Sequence, residues 1–279
     1  MESIKALLER RGVSNQTSTE KPVDMLEYTR RKIESANSIP GKLTGYDCPL
    51  CLNRGYIHHM RDNGEEYVRE CECMVQRRAQ AMLRKSGLVD TIQRYTFDTW
   101  QTPEVWQEKA KALAEKYVSE KSGWFLAAGR SGSGKTHLCT AICAELLKAN
   151  VEVRYVLWRD IAVMAKAAVT DDEEYFRIVD PLKSVPVLYI DDLFKTGNER
   201  DRNGNTVQKA PTTGDVNLAF EILNNRYNDT KKLTIISTER SIDDLLDIDE
   251  ATGSRIYERS KGYFLDFSKK GNWRLNARG

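Results

Sequence analysis

The chain has 279 residues and a mass of 31.9 kDa, and its 43 lysines and arginines nearly balance 41 aspartates and glutamates. An apolar content of 40% with 30% charged residues is typical of a globular protein and excludes wholesale disorder and a collagen-like fibre. The start has no apolar secretory signal and no run of about 18 apolar residues follows, so the sequence predicts a cytoplasmic protein that does not enter a membrane. The net charge of +2 argues against a strongly basic nucleic-acid coat protein but leaves local basic patches open.

Composition divides the chain into four predicted segments. Residues 1–44 form a charged helical arm with too few apolar residues for a core of its own, so we expect the arm to pack elsewhere in the chain or on a partner. Residues 45–75 are predicted to be a metal module, and residues 76–94 a basic helix or linker. Residues 95–279 are the largest predicted domain.

Four cysteines in the second segment have the spacing of a metal site. They are Cys48, Cys51, Cys71 and Cys73. Without a secretion signal a reducing compartment is expected, where such clusters favour metal over disulfides, free or redox-active thiols being the alternative. Asn63-Gly64 between the pairs predicts a two-residue hairpin turn that returns the second pair to the first. Four thiolates complete a tetrahedral Zn²⁺ shell, so we predict a small, structural, zinc-ribbon-like module.

From Tyr95 onward, short apolar runs alternate with stretches of helical length. The runs are residues 124–128, 151–157, 185–190, 233–237 and 263–267. Buried strands separated by helices predict an α/β fold with a five-stranded parallel sheet flanked by helices. The polar, glycine-rich segment 195–215 is predicted to be a long functional or mobile loop.

A complete phosphate-loop motif follows the first apolar run. Residues 129–136 read GRSGSGKT, which matches G-x4-G-K-[ST] between a strand and a helix. Its glycines let backbone N–H groups face phosphate oxygens, and the helix N-terminus favours anions. We expect Lys135 to reach the β- and γ-phosphates and Thr136 to ligate Mg²⁺. The predicted nucleotide-binding residues are Gly129, Ser131, Gly132, Ser133, Gly134, Lys135, Thr136 and His137.

Polar residues also follow two later runs. Asp191 is expected to hold Mg²⁺, mostly through water, and Asp192 to position or polarise the attacking water. Thr238 or Glu239 is expected to hydrogen-bond this water or the γ-phosphate, the alternative being a cap at the strand end.

Near the end of the sequence, Arg255 and Arg259 lie four residues apart and therefore on one helical face. We expect one of them to reach the γ-phosphate of a neighbouring subunit, the alternative being a surface helix with an Arg–Glu pair. Candidate contacts to single-stranded DNA are Lys166, Arg177, Lys183 and segment 195–215.

Taken together, these residues resemble AAA+ ATPases, and among them the DnaC/DnaI-type helicase loaders, from about residue 45 to the end. The motifs that carry the resemblance are the two cysteine pairs and residues 86–88 (SGL), 95–98 (YTFD), 129–136, 191–192, 220–227 (FEILNNRY), 235–239 and 253–259. Many families share the ATPase motifs, but their combination with a cysteine module is much more selective.

The resemblance implies a P-loop AAA+ core and slow hydrolysis of ATP, stimulated by DNA or a partner. It implies binding of a replicative DnaB-type helicase through the N-terminal region, contact with single-stranded DNA and self-association through the ATPase domain. By the family pattern, sensor 1 is Thr238 or Glu239, and the arginine finger is Arg255 or Arg259. The residues after the last predicted strand are too few for a full C-terminal lid, which leaves Arg274 as the candidate to replace the lid arginine.

Two other functions stay open at this stage. A transposition helper of the IstB type shares the same ATPase core, although the cysteine module disfavours it. A nucleotide-gated adaptor that barely hydrolyses ATP is the second. It is suggested by Asp192, which is one methylene shorter than the glutamate common at this position.

Overall fold

A computed structural model describes residues 24–44, 47–200 and 206–268. The chain divides into two compact units, with the boundary between Arg77 and Arg78. Within the described ranges, no helix combines the length and apolar character that crossing a membrane requires.

The first unit contains a helix and a β-hairpin. Helix α1 (Met25–Ser38) is capped by Asp24, whose carboxylate accepts a 2.9 Å hydrogen bond from the Leu26 amide. Strands β1 (Tyr56–Met60) and β2 (Glu66–Glu70) pair antiparallel. Helix α2 (Cys73–Ser86) begins at the last cysteine of the second pair and continues past the boundary between the two units.

The described part of the N-terminal arm packs on this hairpin. The Asn37 side chain exchanges two hydrogen bonds with the backbone of His58, at 2.9 and 3.0 Å. Lys32 Nζ lies 2.8 Å from a carboxylate oxygen of Glu66. Helix α1 and the hairpin therefore form one unit within the chain.

The hairpin turn differs from the predicted two-residue Asn-Gly turn. The Gly64 amide donates to the Arg61 carbonyl and the Arg61 amide donates to the Glu65 carbonyl, both at 2.9 Å. Gly64 has φ +85°, whereas Asn63 is not in the left-handed region. These are the features of a three-residue loop, in which a type I turn is followed by glycine in a bulge. The prediction of a hairpin was right, and its turn type was wrong.

The second unit is an α/β domain. Its elements are α3 (Val105–Glu120), β3 (Trp124–Ala128), α4 (Lys135–Lys148), β4 (Val153–Leu157), α5 (Trp158–Ala167), α6 (Asp172–Ser184), β5 (Val187–Asp191), β6 (Asn198–Arg200), β7 (Thr206–Gln208), α7 (Thr213–Tyr227), β8 (Leu233–Thr238), α8 (Ile242–Ile248), α9 (Glu250–Ser260) and β9 (Phe264–Asp266). The main sheet has the order β4-β5-β8-β3-β9 and every neighbouring pair is parallel. The predicted five-stranded parallel sheet is confirmed.

Helices cover both faces of this sheet because successive strand residues point to opposite sides. Phe125 and Ala127 belong to a core with helices α3 and α4. Trp124 and Leu126 belong to a second core with helices α5 to α9. All strands run in one direction, so the segments that follow β3, β5 and β8 meet at one edge of the sheet.

The sequence predicted one continuous loop over segment 195–215, and this prediction was wrong. Strands β6 and β7 pair antiparallel, with Asn198 opposite Gln208. Helix α7 begins at Thr213 because Thr212 and Asp215 cap it reciprocally. The Thr-x-x-Asp pattern was a helix-start signal that the loop prediction overlooked.

Candidate functional site

The phosphate-loop residues 129–136 join β3 to α4 at the carboxyl edge of the sheet. Gly129 and Gly134 have φ of +122° and +99°, a conformation that favours glycine. A Cβ on Gly129 would lie 2.4 Å from the Ser268 nitrogen, and one on Gly134 would lie 2.8 Å from the Trp100 ring. Both positions therefore require glycine on conformational and steric grounds.

Lys135 extends its side chain back into this loop. Its Nζ donates hydrogen bonds to the carbonyls of Gly129 at 2.7 Å and Arg130 at 2.8 Å. Burial lowers the pKa of Lys135, and the nearby charges of Glu239 and Asp192 oppose that shift. The loop thus encloses a cation beside its backbone amides, an arrangement suited to phosphate.

Thr136 and Asp191 meet across the end of the sheet. The Thr136 hydroxyl lies 3.2 Å from Asp191 Oδ1, and the carboxylate is buried, with 4% exposure. Tyr189 and Tyr155 donate their hydroxyl protons to Asp191 at 2.8 and 3.3 Å, and Ser237 donates a third. Burial, and after it the charge of Asp191, raises the pKa of the Tyr189 hydroxyl well above its ordinary value. A hydroxyl beside a carboxylate at a phosphate loop fits the oxygen ligands that Mg²⁺ prefers.

Asp192 turns away from the path of β5. Its φ is +57°, a left-handed conformation that aspartate adopts more readily than most residues. Its amide donates to the Ser237 hydroxyl at 3.0 Å, and its carboxylate lies 2.9 Å from Lys195 Nζ. This turn directs the second carboxylate into the cleft beside the phosphate loop, which Asp192 lines together with Thr136.

The structure separates the two candidates at the end of β8, Thr238 and Glu239. Thr238 is fully buried, and its hydroxyl donates to the Leu193 carbonyl at 2.8 Å. Glu239 lines the cleft with Ser131 and Lys135. Thr238 therefore secures the strand end, whereas Glu239 presents a carboxylate to the phosphate loop.

Lys195 joins the two carboxylates of the cleft. Its Nζ lies 2.9 Å from Asp192 Oδ2 and 3.0 Å from Glu239 Oε1. Although burial alone would lower it, hydrogen bonds to these two carboxylates raise the pKa of Lys195. Although burial alone would raise it, hydrogen bonds from Lys195 and Ser131 lower the pKa of Glu239. The cleft thus holds an alternating set of charges.

His137, in the first turn of α4, lies on the other side of the loop. Its Nε2 is 3.0 Å from the Thr96 carbonyl oxygen, and its ring contacts Tyr95 and Trp100 at centroid distances of 5.0 and 5.2 Å. Burial lowers the pKa of His137, an effect that the Thr96 carbonyl opposes. Together with Trp106, these rings line an aromatic cavity next to the phosphate loop, large enough for a planar group.

Arg255 and Arg259 lie on α9, and neither lines this cleft. Arg255 packs over the rings of Phe220 and Tyr227, 5.3 and 5.4 Å from their centroids. Arg259 lies 6.0 Å from the ring of Trp124, the first residue of β3, whereas the phosphate loop follows the last residue of that strand. The five residues of β3, about 15 Å of strand, therefore lie between the backbone position of Trp124 and the start of the phosphate loop. Arg274 lies outside the described residues, and within them no helix follows β9.

The four cysteines of the first unit form a compact, buried cluster. Their sulfur atoms all lie within 4.8 Å of one another. The Sγ–Sγ distances are 3.7 Å for Cys48–Cys71 and 3.6 Å for Cys51–Cys73. Zinc–sulfur bonds of about 2.3 Å in a tetrahedron place sulfurs about 3.8 Å apart, so the cluster fits zinc. The Gly55 amide donates to Cys51 Sγ at 3.3 Å, which favours a thiolate.

The two remaining cysteines, Cys139 and Cys143, are fully buried on α4 in the core. Burial raises the pKa of both thiols well above the ordinary value, with the charge of Asp191 adding to the shift. They are apolar packing residues.

The sequence of this chain is similar to those of known ATP-binding proteins. The family model described as IstB-like ATP binding protein matches residues 64–247, well over half of the chain. The chain belongs to the IstB-like ATP-binding family. Relatives of this IstB-like protein include the phage-like element PBSX protein XkdC of Bacillus subtilis (strain 168), 29% identical over 93% of this chain and 96% of the relative.

Helicase loaders are among the similar proteins. The replicative helicase loader DnaC of Escherichia coli (strain K12) is 30% identical over 41% of this chain and 48% of its own length. A crystal structure of the DnaC helicase loader is 25% identical, with a TM-score of 0.50, and the match covers 63% of this chain and 97% of that chain. The recognition of an IstB/DnaC-like AAA+ ATPase, with its sheet, is therefore confirmed.

Three residues around Asp191 were missing from the sequence prediction: Tyr155, Tyr189 and Ser237. Strand alternation would have revealed part of the set, because residues two apart on a strand share a face. Tyr189 and Asp191 share one face of β5, and Tyr155 is the register partner of Tyr189 on β4. Lys195 begins segment 195–215, which was predicted to be a functional loop, but no pattern indicated that it pairs with Asp192 and Glu239.

Proposed function

We propose that this protein is an ATP-dependent loader that binds a replicative DnaB-type helicase and helps to place it on single-stranded DNA when replication begins. One observation carries the proposal: a phosphate loop meets a buried Asp191 and a cleft-facing Asp192 in a chain whose preceding unit holds a four-cysteine cluster. Its likeness to DnaC supports the same function.

In the proposed ATPase reaction, Lys135 and the loop amides bind the β- and γ-phosphates. Thr136 and Asp191 would hold Mg²⁺, which when bound neutralises phosphate charge. Asp192 orients the attacking water and accepts its proton, while Glu239 hydrogen-bonds this water or the γ-phosphate. Lys195, which pairs with both carboxylates, restrains them in the absence of a partner, which is in line with slow basal turnover.

We assign Zn²⁺ to the cysteine cluster in a structural role, because four thiolates leave no open coordination position. We assign helicase binding to the N-terminal segments 1–44 and 45–75. The described part of α1 exposes Met25, Leu26 and Tyr28, which offer an apolar contact for a partner.

We propose that the ATPase domains associate so that α9 of one subunit faces the nucleotide of its neighbour. Arg259 is our choice for the arginine finger, because its 6.0 Å contact with the Trp124 ring is looser than the contacts of Arg255 with Phe220 and Tyr227. Arg255 is less suited, since its Nη1 already donates to the Ala251 carbonyl at 2.6 Å.

Ion pairs within the chain argue against two of the candidate DNA contacts, Lys166 and Lys183. Lys166 pairs with Asp215 and Lys183 pairs with Glu221, each at 2.6 Å. We therefore place DNA contact on the assembled ATPase domains rather than on these individual lysines.

The test measures ATP turnover with and without single-stranded DNA, and capture of the cognate helicase by the full-length chain. We expect low turnover that rises with DNA or helicase and is abolished in Lys135→Ala. Lys148→Ala, on the exposed end of α4, is the matched control and keeps turnover. Normal turnover in Lys135→Ala would remove the ATPase assignment.

Two outcomes would favour the other candidate functions. Failure to bind the helicase, with turnover intact, would favour a transposition helper, which the IstB-like family match keeps in view. Helicase binding with nucleotide affinity but no stimulated turnover would favour the adaptor, in line with the pairing of Asp192 to Lys195.

A further inference from the structure

Two acidic side chains border the part of the cleft into which the end of a nucleotide would extend. Asp192 and Glu239 line this cleft together with Ser131 and Thr136 of the phosphate loop. Asp191 lies behind Thr136 at 3.2 Å. The terminal phosphate of a nucleotide bound here would approach three carboxylates. Negative charges that come close together repel one another strongly where water is excluded.

The ammonium of Lys195 lies between two of these acids, at 2.9 Å from Asp192 and 3.0 Å from Glu239. No sequence motif of the phosphate site includes this residue. Its side chain is 41% exposed, so the ammonium has room to shift toward a phosphate oxygen while remaining near its acidic partners.

The backbone below this ammonium is rigidly placed. Leu193 and Phe194 are buried, and the Leu193 amide donates to the Ser237 carbonyl at 2.9 Å. The Lys195 amide donates to the Asp192 carbonyl at 3.0 Å, which closes the turn. A fixed turn with a flexible cationic end is suited to presenting charge at one point of the cleft.

We propose that Lys195 is a second phosphate-contacting cation that makes the site prefer a nucleoside triphosphate to a diphosphate. The proposal rests on the proposed function, since it needs a nucleotide in the cleft. Lys135 and the loop amides contact the β-phosphate, which both nucleotides share, as well as the γ-phosphate. Lys195 instead lies beside Asp192 and Glu239, which only a terminal phosphate approaches. Charge-assisted hydrogen bonds of this kind are about twice as strong as neutral ones.

The experiment compares full-length wild type with Lys195→Met, which keeps length and loses charge, and Lys195→Arg, which keeps charge. Calorimetry measures the dissociation constants of Mg²⁺-AMP-PNP and Mg²⁺-ADP. We expect Lys195→Met to weaken AMP-PNP binding about tenfold and to leave ADP binding within about twofold, as loss of one charge-assisted contact predicts. Lys195→Arg is expected to retain most of the preference, and Lys148→Met, as the remote control, all of it.

Two results would overturn the proposal: equal weakening of the binding of both nucleotides, or no change in the binding of either. An ATPase assay of the same variants separates a further case within the second result, in which turnover rises while both affinities stay unchanged. This case would mean that Lys195 only restrains Asp192. A Lys195→Gln variant repeats the comparison if the methionine variant does not fold, which circular dichroism checks. Wild type that binds neither nucleotide would remove the proposed function itself, and that result is distinct from a change confined to Lys195 variants.

Discussion

The hydroxyl of Ser237 accepts a 3.0 Å hydrogen bond from the backbone amide of Asp192. The same hydroxyl donates its proton to Asp191. One buried side chain on β8 thereby fixes the positions of both acidic residues at the end of β5. Ser237→Ala should lower ATP turnover ten- to a hundredfold and raise the Mg²⁺ concentration needed for half-maximal rate, because residues behind metal ligands have effects of about this size.

The matched control for this prediction is Ser184→Ala, which removes an exposed hydroxyl at the end of α6. It should leave turnover and Mg²⁺ dependence unchanged. Unaltered Mg²⁺ dependence in Ser237→Ala, in a protein with normal thermal stability, would contradict the assigned role.

The cysteine cluster predicts a metal-dependent first unit. Metal analysis of the purified protein should give about one zinc per chain, and Cys48→Ser should lose it, because three thiolates no longer close the tetrahedron. Chelation should unfold the first unit, since zinc binding contributes roughly 10–16 kcal/mol in small zinc domains. Cys139→Ala, which removes a buried thiol outside the cluster, should retain the metal. Full zinc content in Cys48→Ser would exclude this ligand set.

Local sequence patterns predicted the strands of the main sheet and the phosphate loop at residues 129–136. The apolar runs gave all five strands of the main sheet, and GRSGSGKT gave the turn between β3 and α4, because both depend on neighbours in sequence. The type of turn at Gly64 was harder to predict from the sequence. An Asn-Gly pair occurs in both two-residue and three-residue hairpin loops, which differ in the register of the paired strands.

Residues whose role depends on the order of the strands in the sheet could not be predicted from local sequence patterns. Ser237 acts on Asp191 because β8 lies next to β5, with Ile190 opposite Ile236, although a long segment of chain separates the two strands. Alternation along β8 then places Thr238 on the opposite face from Ser237, which explains why Thr238 is buried against Leu193. The sequence alone left Thr238 and Glu239 as equal candidates.

Asp215 predicts a pH-dependent contribution to stability. Its carboxylate accepts hydrogen bonds from the amide and hydroxyl of Thr212 and lies 2.6 Å from Lys166 Nζ. Although burial alone would raise it, Lys166 and Thr212 lower the pKa of Asp215 below its ordinary 3.8. The stabilisation is therefore complete when the pH lies above the pKa of Asp215 in the unfolded chain, which is about 4. It is lost as the pH falls through the lower pKa that Asp215 has in the folded protein.

Asp215→Asn should thus cost about 1 kcal/mol at pH 7, and the gap to wild type should close as pH falls below 4. Urea unfolding at several pH values measures this gap. Glu115→Gln, a half-exposed carboxylate on α3 with a long ion pair to Lys111, should show little difference at any pH. A gap for Asp215→Asn that does not narrow as the pH falls below 4 would contradict the electrostatic origin.

Arg226 is a buried guanidinium that holds several strand and helix ends together. It is fully buried on α7 and donates to the carbonyls of Leu182, Val185 and Leu233, at 3.0, 2.8 and 2.6 Å, and to the Thr234 hydroxyl. Burial lowers its pKa to about 10, which leaves it protonated at neutral pH. Arg226→Met should destabilise the domain by about 2–4 kcal/mol, because the buried carbonyls lose their donors.

Thermal or urea unfolding of the second unit measures this loss, and Arg177→Met provides the control. Arg177 is exposed on α6, and its partner among the residues that the structure describes is a carboxylate one turn away, so its removal should cost less than about 0.5 kcal/mol. Arg226→Lys should fall between the two, since an ammonium keeps the charge but cannot reach carbonyls on both sides of the planar fork. Equal stability of Arg226→Met and wild type would mean that apolar packing replaces the guanidinium without cost, and the hydrogen bonds would then have no net role in holding α6, α7 and β8 together.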